Sequence, residues 1–292
     1  MRLELRGVQF HRLRWTSPDF AAKWLIHEPP SYTPVATSAG FSRGISLVIP
    51  AWNEEDRLPS TLENYLPVLK ELNIDHEVIV VTDGSNDRTA EVALDHARQG
   101  VRVLRFEHKL GKGGAVLEGF RRSNYSIVGF IDADSPVAPC DVATLIAAVS
   151  ECDGAIASRW LDQSIFDHPA RASRIALSKT WNLLVRMLLG LHVRDTQCGA
   201  KFFRREAIER VLPRITLTNW AFDAALLFHL TKAGFSIREL PVHWKSDPRS
   251  KLNVFRAAPT MFISLVGLRL MNSSVLPRRP QTAATWLPNQ IR

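Results

Sequence analysis

An open, mainly parallel α/β sheet in three layers is the fold class this sequence predicts, and three observations carry it. From Gly44 onward, short β-branched and apolar runs alternate with helical periodicities. The connections between them are short, so consecutive elements should be neighbours in space. The early strands also end abruptly in polar groups, and the carboxyl ends of parallel strands are where ligands bind.

Taken in order, residues 45–50 (Ile-Ser-Leu-Val-Ile-Pro) form the first strand, ended by a proline that cannot donate to the ladder. Leu62, Tyr65, Leu66, Leu69 and Leu72 recur at helical spacing, and Pro67 is expected to kink or restart that helix. Residues 77–82 are a second strand, followed by a helix over 89–99 that Thr89 would cap. Residues 101–106 are a third strand, with a helix over 113–122. The uninterrupted apolar run 127–131 is the fourth, followed by a helix over 142–149 and a short strand at 154–158. Beyond Arg159 the alternation loosens. Residues 171–189 read as an amphipathic helix, with Leu177, Trp181, Leu184 and Leu188 on one side and Arg171, Lys179, Asn182 and Arg186 opposite. A strand at 201–203, a helix at 222–233, a strand at 236–244 and an apolar helix at 257–271 complete the pattern. The expected organisation is an N-terminal extension and linker over 1–43, the α/β domain over 44–252, and an apolar helix with a loose proline-bearing tail over 253–292.

A formal net charge of +8 and a pI near 9.7 point to an anionic partner such as a phosphorylated substrate or a membrane surface. No nucleic-acid motif accompanies that charge, which is spread rather than blocked. Three cysteines (Cys140, Cys152, Cys198), with no CxxC and no histidine cluster at zinc spacing, argue for a reducing compartment. The same spacing argues against a disulfide framework or a structural zinc. No run reaches the roughly 18–20 apolar residues of a membrane span, and the first residues lack a signal-peptide core.

The chemistry gathers at strand ends. The fourth strand ends in Asp132-Ala133-Asp134, two carboxylates suited to one hard cation, Mg²⁺ or Mn²⁺. Alone, such a pair would be read as a helix cap. Pro50-Ala-Trp-Asn-Glu-Glu55, Thr82-Asp83-Gly84-Ser85 and Ser158-Arg159 should lie beside it, and four polar strand ends in one crevice make a site. Asp83 is suited to accept hydrogen bonds from a base or ribose. Gly111-Lys112-Gly113-Gly114 opens a helix, but Val116 stands at the third glycine position of a dinucleotide fingerprint and the loop follows the third strand, not the first. A diphosphate near Lys112 remains open. Trp220 and Trp244 read as core or interface aromatics and Cys198 as a small buried residue. His229 and His243 read as structural, because no second ligand group sits at a matching offset.

These motifs occur in the order seen in family 2 glycosyltransferases with the GT-A fold. Ala157-Ser-Arg159, Asp195-Thr-Gln-Cys-Gly199, Trp220-Ala-Phe-Asp223 and Ser250-Lys251 resemble the branch that glycosylates dolichyl phosphate, the glucosyl side more than the mannosyl. The resemblance runs from about residue 45 to about residue 271 and departs from the family at Thr82 for Asp, Ala225 for Glu and Arg249 for Gly.

It implies a nucleotide-sugar donor, a polyprenyl-phosphate acceptor met at the cytoplasmic face of a membrane, and no nucleic-acid partner. Pro50, Trp52, Glu54 and Asp83 would contact the donor's base and ribose, with Val81 and Ala133 in the same set. Asp134 would be the principal metal ligand, and Asp132 would be shared between metal and donor. Arg159 and Arg174 would address phosphates, with Lys112, Lys201 and Lys251 as further phosphate contacts. A lipid phosphate is ionised near neutral pH, so such an acceptor needs no protein base. The competing readings are a GDP-mannose donor, a soluble acceptor, or an inactive basic binding module.

Overall fold

The computed structural model describes residues 3–5, 8–10, 42–134, 136–166, 172–245 and 254–272, with side chains outside the description at 3–5, 8–10, 42–43, 172–174 and 254–257. Near the N-terminus β1 (Leu3–Leu5) and β2 (Val8–Phe10) form an antiparallel hairpin, where the sequence suggested only an extension. The main body runs β3 (Ser42–Ala51), α1 (Leu58–Glu71), β4 (His76–Asp83), α2 (Thr89–Leu94), a 3-10 turn (Ala97–Gln99), β5 (Val101–Phe106), α3 (Lys112–Arg121), β6 (Tyr125–Ile131), α4 (Pro139–Ala148) and β7 (Gly154–Ser158). Then come β8 (Ile165–Phe166), α5 (Ala172–Leu189), β9 (Ala200–Arg204), α6 (Arg205–Val211), α7 (Phe222–Lys232), β10 (Ile237–Pro241), β11 (His243–Trp244) and α8 (Val254–Met271).

Seven strands make one sheet in the order β10-β7-β9-β6-β3-β4-β5. All neighbours are parallel except β9, which runs antiparallel between β6 and β7, with Phe130 opposite Lys201. Alternate strand residues feed two cores, as a period of two requires. Ile45, Leu47, Ile49, Val78 and Val80 pack with α1 and α4 on one face. Val48, Ile79, Val81 and Phe130 pack with α3, α6 and α7 on the other. The three-layer expectation holds.

Several local expectations change. Pro67 lies inside an unbroken α1. An interior proline costs about 3 kcal/mol, but Leu62, Tyr65, Leu66, Val68 and Leu69 are all buried on that helix, at about 1.5–3 kcal/mol each. Burial wins, and Pro67 faces solvent. Thr89 does not cap α2; its hydroxyl accepts the Glu54 N–H at 2.8 Å, while the Asp87 carboxylate takes the Thr89 N–H. The predicted strand over 236–244 is two strands, because β11 leaves the sheet and pairs with β8.

The largest change concerns α5. Its predicted apolar side is buried only in part: Trp181 and Leu188 pack partly buried against the second core, Leu177 and Leu184 are exposed, and the fully buried residues are Val185, Leu189 and Asn182. Asn182, assigned by periodicity to the polar face, can be buried because its side-chain oxygen accepts both the Thr196 N–H and hydroxyl at 2.8 Å and its amide donates to the Ser178 carbonyl. α8 buries Met261, Leu265 and Leu268 and exposes Phe262, Ile263, Leu270 and Met271. No helix among the described residues is long and apolar enough to cross a membrane.

Candidate active site

Strands β3, β4, β6 and β7 deliver their carboxyl ends to one cleft of about 560 Å³, lined by Pro50, Trp52, Glu54, Asp83, Lys112, Asp132, Ala133, Asp134 and Arg159 among others. The β3 and β4 loops are sewn together before either meets a ligand. Asn53, held at φ 54°, donates its N–H to Ser85 Oγ at 3.1 Å and accepts the Asn86 N–H at 2.9 Å. Glu55 N–H reaches Asp87 at 3.2 Å.

Asp83 is placed differently from the sequence expectation. Both its oxygens accept backbone N–H groups, from Leu110 and from Gly111, the latter at 2.9 Å. It therefore fixes the glycine-rich loop that opens α3. Gly111 sits at φ 82°, and a Cβ there would lie 2.6 Å from the Thr218 carbonyl oxygen, so only glycine serves. At the same end of the cleft, Lys109 Nζ lies 3.2 Å over the centre of the partly exposed Trp52 ring.

The acidic pair occupies the middle. Asp132 accepts Lys112 Nζ at 2.8 Å, and its N–H donates to the Gly199 carbonyl at 2.9 Å. Gly199 is there because β9 passes so close: a Cβ would stand 1.9 Å from Asp132 Oδ2. Ala133 turns its carbonyl inward to the Thr61 hydroxyl at 2.6 Å, which sets the loop. Asp134 Oδ1 is buried and has no hydrogen-bond partner among the described residues. Burial, and then the neighbouring Asp132 carboxylate, push the Asp134 carboxyl up to about 6, with Arg57 and Lys112 working the other way. An orphaned, buried carboxylate oxygen beside a second carboxylate fits a hard divalent cation, which supplies the missing partner and removes the repulsion.

Two predicted contacts are corrected. Lys201 lies fully buried under the cleft floor, its Nζ 2.6 Å from Asp223 Oδ1 and 2.6 Å from the Cys198 carbonyl. Drawing it out to a phosphate would leave a buried Asp223 short of a partner, at about 3–5 kcal/mol, so it is a structural cation. Val81 is likewise a core residue of the second cluster, not a cleft residue. Asp223 also meets Lys112 at 3.3 Å, giving a chain Lys201–Asp223–Lys112–Asp132. Burial opposes the charge on Lys112, but Asp132 and Asp223 outweigh it and hold its pKa above the ordinary lysine value. Burial likewise opposes charge on Asp223, and Lys112 and Lys201 outweigh it, so its pKa is lowered.

Arg159 lines the cleft held in place: Nε and NH2 meet Asp195 at 2.7 and 2.9 Å, and its guanidinium lies 5.4 Å from the rings of both Trp160 and Trp244. Asp195 in turn takes the Gln197 N–H at 3.1 Å. The Arg174 side chain and Lys251 lie outside the described residues.

Sequence reasoning missed several cleft residues. Arg57 pairs with Glu54 through Nε and NH2 at 2.6 and 2.5 Å and stands 3.7 Å from Asp134. The signal was the Glu54-x-x-Arg57 spacing just after a strand end. Trp160, Trp181 and Gln197 line the cleft, and each has a buried N–H group without a partner among the described residues. Trp220 and Trp244 line the cleft, and Trp244 also packs against the first core as expected.

The profile of Glycosyl transferase family 2 matches residues 46–212. Dolichyl-phosphate beta-glucosyltransferase of Drosophila melanogaster is 34% identical over 231 residues, covering 72% of this chain and 70% of that protein. The Homo sapiens protein of the same name is 31% identical over 250 residues, covering 78% and 76%. Glycosyltransferase AglD of Haloferax volcanii is 32% identical over 232 residues, covering 76% of this chain but 36% of that protein. Among solved structures, M. tuberculosis glucosyl-3-phosphoglycerate synthase superimposes with a TM-score of 0.58 at 22% identity, covering 77% of this chain and 81% of that one. Its complex with Mn²⁺, UDP and glucosyl-3-phosphoglycerate superimposes with a TM-score of 0.55 at 22% identity, covering 77% and 80%. With the fold, the strand-end motifs and these matches in agreement, the chain belongs to glycosyl transferase family 2 and has its GT-A fold.

Proposed function

We propose that this protein transfers glucose from UDP-glucose to a dolichyl or related polyprenyl phosphate, inverting the anomeric carbon, with Mg²⁺ or Mn²⁺ held by Asp134 and Asp132. The observation that carries the reading is a single cleft in which the acidic pair separates two unlike halves. Trp52, Lys109 and the Asp83-fixed loop form a cationic and aromatic end suited to a nucleotide. Arg159, Trp160, Trp181, Gln197 and Trp244 form the other, which combines an immobilised cation with indole and amide donors. An unsatisfied buried donor costs about 1–3 kcal/mol, and phosphate or sugar oxygens would satisfy these. The names of the relatives at 31–34% identity supply the sugar and the lipid phosphate.

A divalent cation bound at the acidic pair neutralises the leaving diphosphate. The protein's own residues do the rest by positioning. Arg159, fixed by Asp195, attracts the acceptor phosphate, whose oxygen attacks the anomeric carbon in line as the bond to UDP breaks. That phosphate is ionised before it arrives, so no side chain has to remove a proton. α5 and α8, which pack on one another and expose Met187, Leu183, Phe262 and Ile263, suit contact with a membrane surface from which the lipid is taken.

The test is purified protein with Mg²⁺ or Mn²⁺, a panel of UDP- and GDP-sugars, and a short polyprenyl phosphate. Labelled glycolipid is expected from UDP-glucose alone. Product from GDP-mannose, or equal rates with a phosphate acceptor lacking isoprene units, would overturn the assignment.

A further inference from the structure

Cys140 and Asp141 stand in the first turn of α4, and His243 opens β11, on elements 102 residues apart at the Asp141–His243 pair. Cys140 Sγ lies 3.9 Å from Asp141 Oδ1, and His243 Nδ1 lies 3.4 Å from the same oxygen. One donor atom from each residue falls within 4.8 Å of the other two. Asp141 Oδ2 accepts the His243 backbone N–H at 2.6 Å and also stands 3.1 Å from His243 Nδ1, so the carboxylate is held with Oδ1 toward the thiol and both oxygens within reach of the ring.

Around a tetrahedral zinc, with bonds of about 2.0–2.3 Å, nitrogen and oxygen ligands stand roughly 3.4 Å apart, and sulfur and oxygen roughly 3.6 Å. The separations here are close to those edges. Spacing along the chain argued against zinc and left His243 without a second ligand, because it looks for partners a few residues away. These partners meet through the fold.

We propose that Cys140, Asp141 and His243 form a site for a thiophilic divalent cation of the zinc class, with water completing the shell. The ligand set separates it from Asp132 and Asp134: thiolate and imidazole favour zinc, whereas an all-carboxylate pair favours Mg²⁺ or Mn²⁺. Coordination releases the thiol proton to solvent and leaves the imidazole as its Nε2–H tautomer. Its place gives it a consequence. The His243 carbonyl accepts the Ala138 N–H at 3.0 Å, Lys245 N–H donates to the Pro136 carbonyl at 2.9 Å, and Val137 bridges Trp244. Pro136, Trp244 and Lys245 line the cleft. The cation therefore staples the cleft wall that follows Asp134, and the site stands whether or not the acceptor is a lipid.

The experiment uses untagged full-length protein saturated with Mg²⁺ and titrated with Co²⁺ as a coloured probe. A thiolate-to-cobalt charge-transfer band is expected in the wild type and in Asp134→Asn, and is expected to vanish in Cys140→Ser. Separately, Zn²⁺ should slow alkylation of Cys140 by iodoacetamide at least tenfold, read by peptide mass spectrometry, and His243→Gln should abolish that protection. The site is overturned by a wild type without the band, by a band that survives Cys140→Ser, or by Cys140 alkylation at the same rate with and without Zn²⁺.

Discussion

Asp134 carries a buried oxygen that nothing else in the described protein satisfies, and Asp132 lies beside it. Asp134→Ala should lower sugar transfer by on the order of 10²–10³-fold, the loss expected when charge stabilisation of a leaving group is removed. Thermal stability should hold or rise, since an unsatisfied buried carboxylate is removed; transfer at the wild-type rate would end the metal assignment. Gly199→Ala tests the same post from the side. A methyl group 1.9 Å from Asp132 Oδ2 must push that carboxylate aside, so the Mn²⁺ or Mg²⁺ concentration for half-maximal activity should rise several-fold. An unchanged metal dependence would show that Asp132 is free to relocate. Asp132, Asp134, Pro50, Trp52 and Arg159 were legible as cleft residues because they sit at or just beyond strand ends. Lys201 was not: its sequence neighbours resemble those of a surface lysine, and only the antiparallel course of β9 puts it beneath the floor. Trp160 and Gln197 carry no periodicity that distinguishes a cleft wall from a core.

Element boundaries were legible wherever one period dominated, as in β5 and β7, whose predicted and observed limits coincide. α5 was misread because periodicity finds an apolar side without saying what covers it. Here the buried side includes Asn182, and of the predicted apolar side only Trp181 and Leu188 pack on the core, while Leu177 lines the cleft and Leu184 is exposed. The exposed exterior should bind lipid. Met187→Glu combined with Ile263→Glu should weaken co-sedimentation with anionic phospholipid vesicles by tenfold or more, because each apolar side chain contributes about 1.5–3 kcal/mol on burial. Transfer to a short, water-soluble polyprenyl phosphate should change little. Unaltered vesicle binding would assign the exposed face to something other than a membrane.

Over the whole molecule, acid stability should carry the mark of His229 on α7. Burial, and then Arg214 and Lys232, lower its pKa from 6.5 to about 4. Above pH 6.5 the imidazole is neutral in folded and unfolded chains alike. As pH falls, the unfolded chain takes up the proton first, so stability is lost between about 6.5 and about 4. In His229→Leu, urea midpoints measured across that window should decline less steeply than in the wild type; parallel curves would exclude His229 as a source of acid sensitivity. This burial was invisible along the chain, since it depends on α6, α7 and α8 closing over one face of the sheet.

The antiparallel strand β9 has a further consequence, for the order in which the molecule assembles. β7 and β10 pair with each other, and only β9 joins them to β6 and the rest of the sheet. Strands β3 to β6 form their ladders from residues within about the first half of the chain. β9 is made later, after α5, and runs antiparallel into the gap between β6 and β7. The Gly199 carbonyl, just before β9, accepts the Asp132 N–H. During synthesis, therefore, the half of the sheet built from β3, β4, β5 and β6 takes shape first, and the Asp132 backbone gains its contact with Gly199 only when that last central strand slots in.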